Sequence, residues 1–203
     1  MQNNVRAGLK PAPTNKHFMK KTITFFAIVA LAVPAFPLIT LHGGGNISQL
    51  TGRYLEYSVF GGQIGVTTFS SRLFSVQPGA FLISKGGQNA AGQRTRLNYL
   101  EIPVNATLGF SLSRIRLSVG AGVYGSFGLW GRTPGGGSID FFSDQNPHRF
   151  FDFGWQVVAN GHWGRYGARL SLSRGFISAV DVRPRPHNYT FSFGLSYTLG
   201  AMR

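Results

Sequence analysis

The stretch Tyr189–Leu199, with the sequence YTFSFGLSYTL, decides the fold class of this chain. Its odd-numbered positions carry only large apolar or aromatic side chains, whereas its even-numbered positions carry only Thr, Ser and Gly. Successive side chains of a β-strand point to opposite faces, so this alternation predicts a strand with one apolar and one small, polar face. In a chain with 43% hydrophobic residues, an alternation of this length is roughly a one-in-a-thousand coincidence.

The same period of two recurs along the rest of the chain. Ile115–Leu129 repeats it with a similar division into an apolar face and a face of small and polar residues. Six more segments follow it less strictly, and two of these, 57–68 and 38–48, are weaker and rich in glycine. The eight predicted strands are 38–48, 57–68, 74–82, 100–108, 115–129, 151–160, 166–173 and 189–199. Strands of about 10–12 residues match a tilted crossing of a lipid bilayer.

The links between these strands alternate in length. The longer links are 49–56, 86–97, 130–149 and 177–187, and the shorter ones are 69–73, 110–114 and 162–165. Short turns at one end and long loops at the other are typical of outer-membrane barrels. We therefore predict an all-β, eight-stranded, antiparallel, transmembrane up-and-down barrel in a cell outer membrane, with both termini periplasmic. The 130–149 and 177–187 loops should then be extracellular and the most mobile.

A lipocalin-like barrel or a β-sandwich in water is the alternative fold. In that case the outward face would carry Lys and Glu, and the apolar face would form the core. Here the polar face is mostly Gly, Ser, Thr, Asn and Gln, which suits the interior of a small barrel whose apolar face meets lipid. Aromatic residues near the strand ends, such as Trp163 and Tyr166 at one end and Trp130 and Phe176 at the other, would form two interfacial girdles.

Composition excludes several classes of protein. The 203 residues contain no Cys, so a disulfide scaffold, a thiolate metal site and a cysteine nucleophile are excluded. The net charge of +14 would suggest nucleic acid, but the charge is dispersed and forms no basic cluster of five or more residues. We predict no nucleic-acid partner. Outer-membrane lipids, whose anionic headgroups would meet basic strand ends, and the outer-membrane assembly machinery are the expected partners of a monomer.

The N-terminal region has the sequence pattern of a signal peptide. Met19-Lys20-Lys21 precedes a short apolar run, and small residues follow at the spacing of a cleavage site. We predict an upstream extension at 1–18, a signal peptide at 19–35 and the barrel domain at 36–203. A buried helix or a membrane anchor is disfavoured by Pro34 and Pro37.

No catalytic residue, cofactor or metal is predicted from the motifs. An outer-membrane lipid hydrolase or acyltransferase would need a Ser or Asp beside a His that a third group holds. The four histidines of the predicted barrel domain stand in no such local signature: His42, His148, His162 and His187. His162 is expected in a short periplasmic turn. A lipid-modifying enzyme, or an adhesin acting through the long loops with Phe141 and Phe142, stays as an alternative to a structural, binding or porin-like role.

In the alternation of the fourth strand, Glu101 shares the polar face with Asn105 and Thr107, which places it inside the barrel, near the loop end of that strand. A buried carboxylate needs a cation or several donors, and Lys85 is at a similar height on the inward face of the hairpin partner. Arg116 also points inward but lies nearer the periplasmic end, out of reach. We predict a structural polar network in the lumen, formed by Glu101, Lys85, Arg116, Arg169, Gln77 and Tyr124. Because eight strands leave room only for side chains, these residues should also close the barrel to wide diffusion.

Several motifs resemble the outer-membrane β-barrel (porin-like, PorT-type) family of Bacteroidetes. They are FSVQPGAFL at 74–82 followed by Lys85-Gly86-Gly87, NYLEIPV at 98–104, GAGVYG at 120–125 and DFGW at 152–155. The resemblance spans residues 42–199 and departs from the family at Gly79, where Glu is common, and at the C-terminus, which lacks a terminal aromatic residue. It implies the fold and the location but no activity.

Overall fold

Eight long β-strands form a closed antiparallel barrel in the computed structural model, which describes residues 38–51, 57–69, 73–132, 137–139, 151–176 and 187–199. The strands are β1 (Leu38–Thr51), β2 (Val59–Phe69), β3 (Phe74–Gln88), β4 (Arg94–Leu112), β5 (Ile115–Arg132), β7 (Phe151–Trp163), β8 (Tyr166–Gly175) and β9 (His187–Leu199). The two-residue β6 (Ser138–Ile139) pairs with the end of β5.

The barrel closes because its first and last strands pair. The β1–β9 ladder runs from Ile39 opposite Leu199 to Thr51 opposite His187, and every other long strand pairs with its neighbours in the chain. All of these pairings are antiparallel, so the topology is up-and-down. The predicted all-β, eight-stranded, up-and-down barrel is therefore confirmed, and closure gives each of the eight described long strands a partner on both sides.

The two faces of the sheet divide by polarity as the period of two predicts. Large apolar side chains point outward and are exposed: Ile39, Leu41, Ile64, Val66, Val119, Val123, Leu170, Leu172, Phe191, Phe193 and Leu195. Polar side chains point inward and are buried: Thr40, Asn46, Gln63, Gln77, Asn105, Thr107, Gln156, Ser173, Ser192 and Thr198. This arrangement is inverted relative to a protein with an apolar core, because the apolar side of the sheet faces outward.

Short and long links lie at opposite ends of the barrel. The turn end carries 70–73, 113–114 and 164–165, where Ser113 and Gly164 adopt positive φ angles of 55° and 58°. The loop end carries 52–58, 89–93, 133–150 and 176–186. The alternation in length holds, but the predicted 86–97 loop was too long, because β3 and β4 continue their ladder as far as Gln88 opposite Arg94.

The parity of β5 changes near its loop end, which the sequence did not show. Asn98 is opposite Trp130 while Tyr99 is opposite Gly128, so the register skips Leu129. Such a bulge reverses the faces of the residues that follow it. Trp130, predicted to begin a loop, instead belongs to β5, points outward and is 55% exposed.

Several predictions lie outside the described residues. They concern the leader at 1–35, most of the 130–149 and 177–187 loops with Phe141 and Phe142, and His148. Within the part of the chain that the structure describes, no helix has the length and hydropathy needed to cross a membrane.

Candidate functional site

A buried ion pair occupies the lumen near the loop end. Lys85 on β3 and Glu101 on β4 are 2% and 5% exposed, and the Lys85 ammonium donates a hydrogen bond to Glu101 Oε2. Ser126 on β5 donates to the same oxygen at 3.0 Å. The antiparallel register explains this geometry, since Ser126 is directly opposite Glu101 in the β4–β5 ladder. The structure thus brings together Lys85 and Glu101, the two charged residues that the strand alternation predicted to pair.

Two tyrosine rings surround the ammonium group. Lys85 Nζ lies 4.7 Å from the centre of the Tyr124 ring and 5.9 Å from that of Tyr99. Both rings are buried, and a cation over an aromatic face is attracted by the ring quadrupole. Desolvation by the tyrosines strengthens the pairing of Lys85 with Glu101, since charges attract more strongly where water is excluded.

A second carboxylate, Asp152 at the start of β7, extends this network. Asn188 on β9 donates to Asp152 Oδ2 at 3.0 Å, and the Tyr124 hydroxyl lies 3.5 Å from the same oxygen. Sequence reasoning left Asp152 out of the lumen network, although its parity within the 151–160 alternation was the available signal. We call Lys85, Glu101, Ser126, Tyr124 and Asp152 the loop-end network.

The middle of the lumen is spanned by uncharged polar side chains. Gln156 on β7 donates to Asn105 Oδ1 on β4 at 2.8 Å, although β5 lies between these strands. The bond passes over Gly122, which is opposite Asn105 on one side and Gln156 on the other. Gln77, also buried, is opposite Asn105 on β3. A glycine on the intervening strand therefore lets longer side chains meet across it.

Arg169 reaches into the lumen from β8. It is 4% exposed, donates to Asn160 Oδ1 at 3.0 Å and lies over the Phe81 ring at 5.4 Å. Phe81 also contacts His42, with ring centroids 5.5 Å apart, and His42 Nε2 is 2.8 Å from the Thr67 hydroxyl. These contacts join β8, β3, β1 and β2 through the interior.

Arg116 lies at the turn end of β5, away from Lys85, Glu101 and Tyr124 of the predicted lumen network. Ten residues of β5 separate Arg116 from Ser126, about 33 Å along a strand, so Arg116 cannot reach Glu101. Its backbone is opposite that of His162. His162 was expected in a turn, but β7 continues through Trp163 and buries its side chain in the lumen. His187 likewise begins β9 rather than ending a loop.

A buried cluster of apolar and aromatic side chains lies in the lumen near the loop end. Ile83, Leu97 and Tyr99 form a buried cluster inside the barrel, beside the rings that surround Lys85. Together with the polar contacts in the middle of the lumen, they bury most of the inward-facing side chains that the structure describes. Within the described residues, no group of three or more His, Asp and Glu side chains is arranged to hold a metal ion.

Comparison with known proteins shows the fold alone. No family model matches the chain, and no curated protein matches it. Neisserial surface protein A (NspA) is similar with a TM-score of 0.51 and 11% identity, over 78% of this chain and 96% of that chain.

Two further solved structures are similar at lower scores. Ail, the attachment invasion locus protein of Yersinia pestis, in complex with the heparin analogue sucrose octasulfate, gives a TM-score of 0.46 and 11% identity over 80% of this chain and 98% of that chain. The N-terminal β-barrel domain of Pseudomonas aeruginosa OprF gives 0.38 and 11% over 80% and 98%.

Proposed function

We propose that this chain is a small integral outer-membrane protein with a structural or binding role. The observation that carries the proposal is the division of the barrel into an apolar outer face and a filled polar interior. Trp163 and Tyr166 at the turn end and Trp130 and Phe176 at the loop end lie on the outer face, at the positions of two interfacial girdles. The fold that it shares with Neisserial surface protein A supports the proposal.

Binding is assigned to the loop end rather than to the lumen. Buried Tyr124, Tyr99 and Arg169 obstruct the interior, whereas the links at 133–150 and 176–186 are the longest of the barrel. We further propose a monomer of the PorT-type Bacteroidetes family, with a cleaved signal peptide at 19–35 and no enzymatic activity. Release of fatty acid from phospholipid vesicles by the purified protein would count against the last point.

Membrane insertion and closure are tested together. The protein refolded in detergent should migrate differently on a denaturing gel before and after boiling, because a closed barrel resists unfolding at room temperature. Liposomes containing the folded form should swell in isotonic small sugars no faster than empty liposomes. A protein that dissolves without detergent and shows no shift would contradict the membrane proposal, and rapid swelling would contradict a filled lumen.

Orientation is tested with single cysteines, because the natural chain has none. Ser138→Cys places a thiol at the loop end and Ser113→Cys places one at the turn end, and both positions are exposed. A membrane-impermeant maleimide added to intact cells should label the first variant and leave the second unlabelled until the cells are lysed. The reverse pattern would mean that the termini are extracellular.

A further inference from the structure

Three arginines lie together on the outer face at the loop end. Arg94 and Arg96 on β4 and Arg132 on β5 are exposed and point away from the lumen. Arg96 is directly opposite Arg132 in the ladder, so their Cβ atoms are about 5 Å apart, and Arg94 lies two residues farther along β4. We call these residues the rim arginine cluster.

The chain supplies no described counter-charge to this cluster. Like charges directly opposite each other on a sheet destabilise it, and an acidic neighbour normally offsets them. Of the acidic residues, the structure describes Glu101 and Asp152, and both point into the lumen. Arg94 Nε donates to Gln88 Oε1 at 3.1 Å, which satisfies one N–H group but neutralises no charge. Among the described residues the cluster therefore has no anionic partner.

The depth of the cluster indicates which anion it meets. Trp130 precedes Arg132 by two residues on the same outer face, and Asn98, which donates to the Trp130 carbonyl at 3.4 Å, follows Arg96 by two. Outward tryptophans mark the boundary of the hydrocarbon layer in membrane barrels. Along the tilted strands, Arg96 and Arg132 are then about 7 Å beyond Trp130 and Asn98, and Arg94 is about 13 Å beyond them, which places the cluster on the headgroup side of that boundary.

We propose that the rim arginine cluster binds the phosphate group of a phosphorylated lipid in the leaflet at the loop end. The inference deepens the proposed function, because it requires the barrel to be embedded at this depth. Two adjacent guanidinium forks can share one phosphate, which accepts several charge-assisted hydrogen bonds, and the repulsion between Arg96 and Arg132 becomes attraction to a common ligand. Trp130 would contact the first part of the acyl chains.

The test compares phosphorylated lipid A with lipid A whose phosphates have been removed, each titrated into the protein in a non-ionic detergent. We expect the dissociation constant of the phosphorylated form to rise by about tenfold or more in R96Q/R132Q, since charge-assisted contacts are lost. The dephosphorylated form should bind more weakly than the phosphorylated one and equally to both proteins. The matched control is R114Q/R165Q, which removes the same charge from two exposed arginines at the turn end and should leave both affinities unchanged.

The following results would each overturn a stated part of the proposal. Equal binding of the two lipids to the natural protein, or equal losses in the two double variants, overturns the proposal. Competition by inorganic phosphate at the same affinity overturns the assignment to a lipid.

Asp140 comes directly after β6 and lies outside the described residues, so the variant D140N is included as a test for an internal counter-charge. If D140N lowers thermal stability and R96Q/R132Q leaves lipid affinity unchanged, the counter-charge is internal and the proposal fails. If the natural protein migrates identically before and after boiling, that result refutes membrane insertion rather than the phosphate site alone.

Discussion

Lys85→Met should lower the free energy of unfolding of the barrel by about 3–5 kcal/mol, because it leaves the Glu101 carboxylate buried without its cation. Ser126 donates one hydrogen bond to that carboxylate, which does not replace a full charge. The methionine keeps the length of the lysine stem, so packing against Tyr124 and Tyr99 changes little. Urea unfolding of the refolded protein in detergent, followed by tryptophan fluorescence and by the gel shift, measures the loss.

A second variant separates charge from packing. K85M/E101Q removes both charges and retains an acceptor for Ser126, so it should recover most of the stability that K85M loses. Arg165→Met, which removes an exposed cation from a turn, should change stability by less than about 0.5 kcal/mol. If K85M is as stable as the natural protein, or the double variant is no better than K85M, the buried pair does not contribute as we describe.

The fold could be predicted from the sequence wherever one face of a strand meets an apolar surrounding. In β9 the alternation runs from Tyr189 to Leu199 and the strand is nearly the same, His187–Leu199. At the loop ends of β3 and β4 the alternation disappears, since 84–88 and 94–96 are polar on both faces. The ladder nevertheless continues there, because backbone hydrogen bonds do not need an apolar side chain. Periodicity therefore locates the apolar belt and not the full strand.

The lumen network could be predicted in part, for a related reason. Parity and height along a hairpin were enough to bring Lys85 to Glu101, since the two residues lie on neighbouring strands. The alternation in 151–160 could have placed Asp152 in the lumen, but the sequence carries no signal for its contact with Asn188, because β7 and β9 are not consecutive strands. His162 was expected in a turn because the predicted strand ended at 160, yet β7 continues through Trp163.

Gly122→Ala should destabilise the barrel by about 3 kcal/mol or more, the sum of overpacking and a lost buried hydrogen bond. A Cβ at this position would collide with the Val104 carbonyl oxygen and lie 2.7 Å from Asn105 Cα, both of which belong to the backbone of β4. It would also lie 2.7 Å from Asn105 Oδ1, the acceptor of the bond from Gln156 that passes over the glycine. No side-chain rotation relieves contacts with backbone, so the strands must separate.

Gly43→Ala is the matched control, because it makes the same change on a barrel strand where an added Cβ meets nothing within 4 Å. Gly43 is exposed on the outer face of β1, so a methyl group there adds apolar surface towards lipid and should alter stability by less than about 0.5 kcal/mol. The stability of both variants is measured by the yield of the heat-resistant form after refolding and by the urea concentration at the midpoint of unfolding. Equal midpoints for G122A and G43A would show that β4 and β5 do not approach as closely as the Asn105–Gln156 bond requires.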